Sequence, residues 1–480
     1  MTGSTLDIVV VIVYLFVMLL IGLWARKKTA GNKESFLVAD RNLGYGMFVP
    51  CMCACILGGA MTIGATGLGY SYGISGVIFP VAMGLGVICL AQFVVRKLSK
   101  YKILTVGELL YKRFGPTASL FSSFFVFIYL VLLSVSQITA IGAILHVFLG
   151  WDLLLSMVLG GLISMGYSTL GGMVAVTFTD FIQFLIMVIG IFFILLPVSI
   201  NEAGGLSGLQ TALDPSYFDL GTMGVSRIAS YLLLYILSCM IDQSYWQRAF
   251  TARGKKRSMI GTTIAGGFSM IYGLAVILIG MSAAVIFGPG TVDSDQSIFS
   301  MMAIQLLPSG VSGFVLVGAL SAMMSSMSGP FIAASTVLVN DFIIPLSKNK
   351  ERFTDKKIIQ YNRIILVCSG LVALALSLWM KNVLVALDFA NCVIIGGILF
   401  PVLAALYWKR ATAKGAIISM FASTVAVVVG YIVWGVSSWL PVIPGVIVGL
   451  VVLIVATLLT PPEPNRLEQY AVDATESEMS

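Results

Sequence analysis

Ser325 and Ser326 stand three and four residues after Ala322 in "GALSAMMSSMSGPFIAASTVLVND". On an α-helix that spacing puts all three on one face. Two hydroxyls and a backbone carbonyl are hard oxygen ligands, and they suit Na+ if a second helix brings more oxygens. A plainer reading stays open, because serines in apolar helices also bond back to the preceding turn and pack against neighbours. Asp180 is the lone charge of "YSTLGGMVAVTFTDFIQF". A carboxylate at the centre of a spanning helix costs about 2.5–3.5 kcal/mol on insertion scales, so it belongs at a cavity, a partner or an ion path. A local capping role is its alternative. Asp242 lies in "DQSYWQR", where it can pair with an amine, accept from hydroxyls or amides, or hold a proton. Tyr245 and Trp246 offer flat faces to a solute, or anchor the helix at the interface near Arg248.

These residues sit in a chain that is 59% hydrophobic and 10% charged, with a mean hydropathy of +1.01. One apolar window after another reaches the roughly 20 residues that span a bilayer. The chain therefore reads as an all-α polytopic membrane protein; continuous rather than alternating apolar runs argue against a β-barrel. The first such run is long enough to span and is followed by "ARKK", so it reads as a helix and not a cleaved leader. Thirteen segments are expected, at about 5–25, 46–73, 76–96, 117–149, 151–170, 174–200, 225–251, 258–287, 311–345, 357–380, 383–407, 412–435 and 441–460. All but two of the 28 Lys and Arg, Arg227 and Lys381, fall in alternate connections. That side is cytoplasmic by the positive-inside rule, with the N-terminus outside and the C-terminus in the cytoplasm. The net charge of +7 is thus a topology signal and calls for no nucleic acid.

The seven cysteines form no disulfide or zinc pattern, and Cys51, Cys53 and Cys55 lie in an apolar segment where packing explains them. The one histidine, His146, reads as a surface residue near a helix end, which argues against histidine-based catalysis. No lysine or arginine is expected deep in the core. An organic anion would then depend on helix N-termini and hydroxyls.

Segments 2–6 and 7–11 form two successive groups of five, so the second enters the membrane from the opposite side. The first helix of each group is interrupted, one at Gly58–Gly59 and the other at Asp242–Ser244. Paired interruptions point to a midplane binding site between inverted repeats; small residues for close packing are the alternative. The chain divides as one transmembrane domain over 1–480. A first helix and loop (1–45) precede five-helix repeats at 46–200 and 225–407. Two further helices (412–460) and a cytoplasmic tail (461–480) follow.

Together, "YSTLGGMVAVTFTDFIQF", the Gly-rich segment 2, "YWQRAFTA" and "LSAMMSSMSGPFIAASTVLVND" resemble the sodium:solute symporter family from about residue 5 to 460. The resemblance implies a core of two inverted five-helix repeats and Na+-coupled symport of a small polar organic solute by alternating access. It implies a sodium site of the Leu57, Ala60 and Ala322 carbonyls with the Ser325 and Ser326 hydroxyls, and Asp180 beside it. The solute is expected between the two interruptions, near Gly59, Thr62, Asp242, Gln243 and Tyr245, with Asn391 as a further contact. Gly329 stands where some members add a serine for a second sodium. Gly59 stands where proline-carrier-like members place an aspartate. "DQSYWQR" resembles urea and polyamine carriers of the family. A proton-coupled carrier using Asp180 or Asp242 is the rival. No channel-filter repeat, signalling domain or catalytic cluster is present in the sequence. No organic cofactor or obligatory protein partner is implied; the expected surroundings are the lipid bilayer of the plasma membrane.

Overall fold

Backbone groups in hydrocarbon must find partners within the protein, which leaves the α-helix as the economical answer for apolar runs of this kind. The computed structural model describes residues 3–28, 32–101, 103–348, 353–435 and 438–470. Residues 471–480 of the expected tail lie outside them. Among the described residues the elements are helical, apart from one isolated bridge between Leu43 and Ala252.

The chain runs through α1 (Thr5–Lys28), α2 (Tyr45–Ile56), α3 (Ala65–Tyr72), α4 (Ile78–Cys89), α5 (Val106–Phe114), α6 (Pro116–Leu149) and α7 (Leu153–Val188). It continues through α8 (Val225–Ile241), α9 (Gln243–Ala249), α10 (Lys255–Phe287), α11 (Val311–Val337), α12 (Asp355–Ser377), α13 (Val383–Tyr407), α14 (Ala413–Trp434) and α15 (Val442–Leu459). Among the described residues, ten helical stretches are long and apolar enough to cross a membrane, and the bent pair α8–α9 makes an eleventh. Two apolar helices, Tyr45–Ile56 and Leu153–Gly166, are shorter. The thirteen spans expected from the sequence exceed this count. Part of the difference lies in Ala60–Leu98, whose 39 residues form one continuous stretch. Its backbone is broken at Gly73 (φ +59), where the sequence places a turn between two spans. A similar break falls at Gly172 (φ +60) inside α7, in the "YSTLGG" turn.

The core is built on α11. Its spanning window is 89% buried, against 28% for α1 and for α15, so α11 is enclosed by protein while those two face outward. α11 packs on α6 and α7, α13 on α6, and α10 on α3 and α4. The α3–α10 contact is backbone to backbone. A Cβ on Gly280 would lie 2.1 Å from the Thr66 carbonyl oxygen, and one on Gly69 would lie 2.4 Å from that of Ile277. Only glycine permits that approach.

Candidate functional site

The twelve residues of α2 rise about 18 Å, short of the roughly 30 Å of a bilayer core. The helix stops at Leu57 (φ −81, ψ 46) and resumes as a π-helical turn over Ala60–Gly64. In an unbroken helix the carbonyls of Ala54 and Cys55 would accept from the N–H groups of Gly58 and Gly59. Here Gly58 N–H turns to the Ile56 carbonyl (2.9 Å), and Gly59 N–H donates to Oε1 of Gln137 on α6 (2.8 Å). Two carbonyls are thereby released toward α11.

Ser325 and Ser326 meet them. Ser325 Oγ lies 2.7 Å from the Ala54 carbonyl oxygen and 3.0 Å from that of Ala322. Ser326 Oγ lies 2.7 Å from the Cys55 carbonyl oxygen and 3.2 Å from that of Ala54. Both serines are buried. Each hydroxyl has one proton to give, so two protons serve three carbonyls. The cluster is rich in oxygen lone pairs and suits a small hard cation. The carbonyls beside the hydroxyls are those of Ala54 and Cys55. In this conformation the Leu57 carbonyl has the Thr62 hydroxyl at 3.5 Å, and the Ala60 carbonyl is taken by Ala65 N–H inside the π turn.

The second interruption is at Asp242 (φ −66, ψ 114), where α8 and α9 meet at a 49° bend. Asp242 caps α9. Its Oδ1 accepts from Ser244 N–H (2.7 Å), Ser244 Oγ (2.6 Å) and Tyr245 N–H (3.3 Å), and its Oδ2 accepts from the Tyr129 hydroxyl (2.7 Å). The bend returns α9 to the protein interior. Trp246 is fully buried, with its indole N–H on the Met240 carbonyl (2.9 Å), so it is no interfacial anchor. Arg248 is 2% exposed, which corrects the expectation of a core without arginine. Its Nη1 lies 3.0 Å from Oδ2 of Asp180, and its Nη2 donates to the Ser325 carbonyl (3.0 Å) and Ser328 Oγ (3.2 Å). Asp180 thus reaches the serine face through Arg248.

A cavity of about 30 Å³ lies between the two interruptions. Its walls include Gly58, Gln137, Asp242, Tyr245, Ser326 and Asn391. Three expected solute contacts do not reach its surface. The Gln243 side chain bonds the backbone of Leu104 and Val106 at the start of α5. Thr62 Oγ1 pairs with the Tyr272 hydroxyl (2.8 Å). A Cβ on Gly59 would lie 2.3 Å from that of Ala140, which also leaves no room here for an aspartate. Sequence reasoning missed Gln137, Tyr129 and Asp388. Asp388 sits in α13 with the Tyr235 hydroxyl bonded to its carboxylate. A lone acid in an apolar run was the available signal, the same one that marked Asp180.

Broken helices that face one another across a buried polar cavity, inside a bundle of apolar helices, define a membrane transporter rather than an enzyme. The sodium:solute symporter family model matches residues 36–423, and the chain belongs to that family. A high-affinity proline transporter of Bacillus subtilis is 25% identical, over 92% of this chain and 96% of the relative. A sodium/glucose cotransporter of Vibrio parahaemolyticus is 24% identical, over 88% and 84%. The similarity to a proline carrier and to a sugar carrier is thus about equal, so identity does not select a solute. The structure of a Na+-coupled sialic acid symporter in its substrate-bound outward-open state superposes with a TM-score of 0.81 at 18% identity, over 96% of this chain and 99% of that one. A nucleobase-cation-symport-1 family transporter in a closed conformation follows at 0.55 and 14%. At these identities the likeness is one of fold.

Proposed function

We propose that this protein is a Na+-coupled symporter that brings a small polar organic solute into the cell by alternating access. The observation that carries this reading is the oxygen cluster of Ala54, Cys55, Ala322, Ser325 and Ser326, with more lone pairs than protons. Family membership and the Na+-coupled relatives support it. With the ion present, the hydroxyl protons turn away and five oxygens converge. The carbonyls of Leu57 and Ala60 flank the same break. The site exists only while α2 and α11 touch, so the ion favours conformations that keep them together, and coupling follows from that difference. The solute binds in the neighbouring cavity, against Asp242, Tyr245 and Asn391, and the cavity widens to admit it.

The proposed frame has thirteen spans, with inverted repeats at 46–200 and 225–407. It lies in the plasma membrane, N-terminus outside and C-terminus in the cytoplasm. A proton-coupled mechanism is disfavoured by the pairing of Asp180 with Arg248 and by the four donors held by Asp242. Ser325→Ala protein in proteoliposomes should lose ²²Na+ binding and Na+-stimulated uptake. Unchanged sodium affinity would refute the site, and uptake driven by a pH gradient without Na+ would favour the proton reading.

A further inference from the structure

The charge balance of the cavity points to the kind of solute it takes. Among the described residues, its lining contains one acid, Asp242, and no lysine, arginine or histidine. Asp242 accepts two backbone N–H bonds on Oδ1 and meets the Ser244 and Tyr129 hydroxyls, an arrangement that can hold a carboxylate. All its donors are neutral: a hydroxyl and two N–H groups from the start of α9, and the phenol of Tyr129. Such donors orient the charge without cancelling it. Arg248 is engaged with Asp180 and with the Ser325 carbonyl. A second acid stands one side chain behind the wall, within electrostatic reach of Arg227, and Asp242 is the acid that faces the cavity itself. Tyr235 lines the cavity and bonds Asp388 with its hydroxyl. One turn further along α13, Asn391 returns to the surface of the cavity.

The remaining lining suits a cation. Tyr129, Tyr235 and Tyr245 border the cavity, and an aromatic ring attracts a cation through its face. Cys55, Met61, Met83 and Cys239 add polarisable sulfur. Among the described residues the lining holds no lysine, arginine or histidine to meet a solute carboxylate; the sodium proposed above is held by its own five oxygens, and a carboxylate without a side-chain cation in a site of this polarity is costly. We infer that the solute is an organic ammonium cation without a carboxylate, its nitrogen facing Asp242 within the tyrosine-lined cavity. This rests on the symport reading above and narrows it to a substrate class. It sets this chain apart from relatives named for proline, a zwitterion, and for glucose, which is neutral.

The test uses the full-length protein in proteoliposomes, with ²²Na+ binding measured first as a check on the symport reading. Putrescine, choline, proline, glucose, urea and pyruvate are then compared for binding in the presence of Na+. The expected result is that putrescine or choline binds best. Asp242→Asn, which keeps a good helix cap, should weaken that binding by at least about tenfold, the loss typical of one charge-assisted contact. Tyr129→Phe, which removes a donor to Oδ2 and leaves the ring, should weaken it by a smaller factor. Preference for proline, glucose, urea or pyruvate overturns the inference. So does intact ²²Na+ binding with no response to either cation, or loss of ²²Na+ binding in Asp242→Asn, which would assign the carboxylate to the ion. Absence of ²²Na+ binding in the unmodified protein is a separate result, because it overturns the symport reading on which the inference rests.

Discussion

The pair formed by Asp180 and Arg248 gives the sharpest quantitative prediction. The charged atoms are 3.0 Å apart, and the side chains are 1% and 3% exposed. At an effective dielectric near 20, charges at that distance attract by roughly 5 kcal/mol. Desolvation offsets much of this, so the intact pair adds little net stability. Removing one member is different, because it strands the other charge away from water. Asp180→Asn leaves the guanidinium beside neutral groups such as the Ser325 carbonyl, Ser328 and, at 3.5 Å, the Cys51 carbonyl. Arg248→Gln leaves the carboxylate without its cation. Each single change should cost about 3–5 kcal/mol, or a fall of roughly 5 °C in apparent melting temperature for a chain of this size. The double variant Asp180→Asn/Arg248→Gln carries no buried charge at this place. It should melt no lower than the worse single variant, so the coupling energy is at least the smaller single loss, about 3 kcal/mol or more. Melting is followed by fluorescence-detected size exclusion in detergent, with all four proteins in the same Na+ concentration. If the two single losses simply add in the double variant, the residues are not coupled and the reasoning fails.

Gly280→Ala should abolish or sharply reduce folded protein, because its Cβ would collide with backbone at 2.1 Å. Gly267→Ala on the same helix meets nothing within 4 Å and should stabilise by about 0.5–1 kcal/mol; similar yields for the two variants would contradict the packing argument. Asp341 accepts from Thr105 Oγ1 and from Ser123 Oγ, both at 2.8 Å, and so fastens the start of α5 to the end of the α11 segment. Asp341→Ala should raise amide hydrogen exchange across Val106–Phe114 by about tenfold or more. Unchanged protection there would show that Asp341 does not hold α5.

Local chemistry and periodicity carried much of the site. The length of the apolar runs determined a helical membrane protein, because a bilayer core has a fixed thickness and leaves backbone groups no water. The spacing of Ala322, Ser325 and Ser326 determined a shared face, because helical geometry is local. The glycines at 58–59 and the polar run from Asp242 marked both interruptions. Tertiary structure decided which groups those interruptions release and what meets them. The carbonyls that face the serines are those of Ala54 and Cys55, because Gln137, 78 positions away in sequence, claims the N–H of Gly59. Arg248 reads in the sequence as the edge of a span. The 49° bend at Asp242 carries it inward to a carboxylate 68 positions earlier, and no periodicity encodes that meeting. Gln243 and Asp242 are adjacent in the chain, yet one fastens α5 and the other faces the cavity. A bend of the backbone separates them, and its direction depends on what packs against each side.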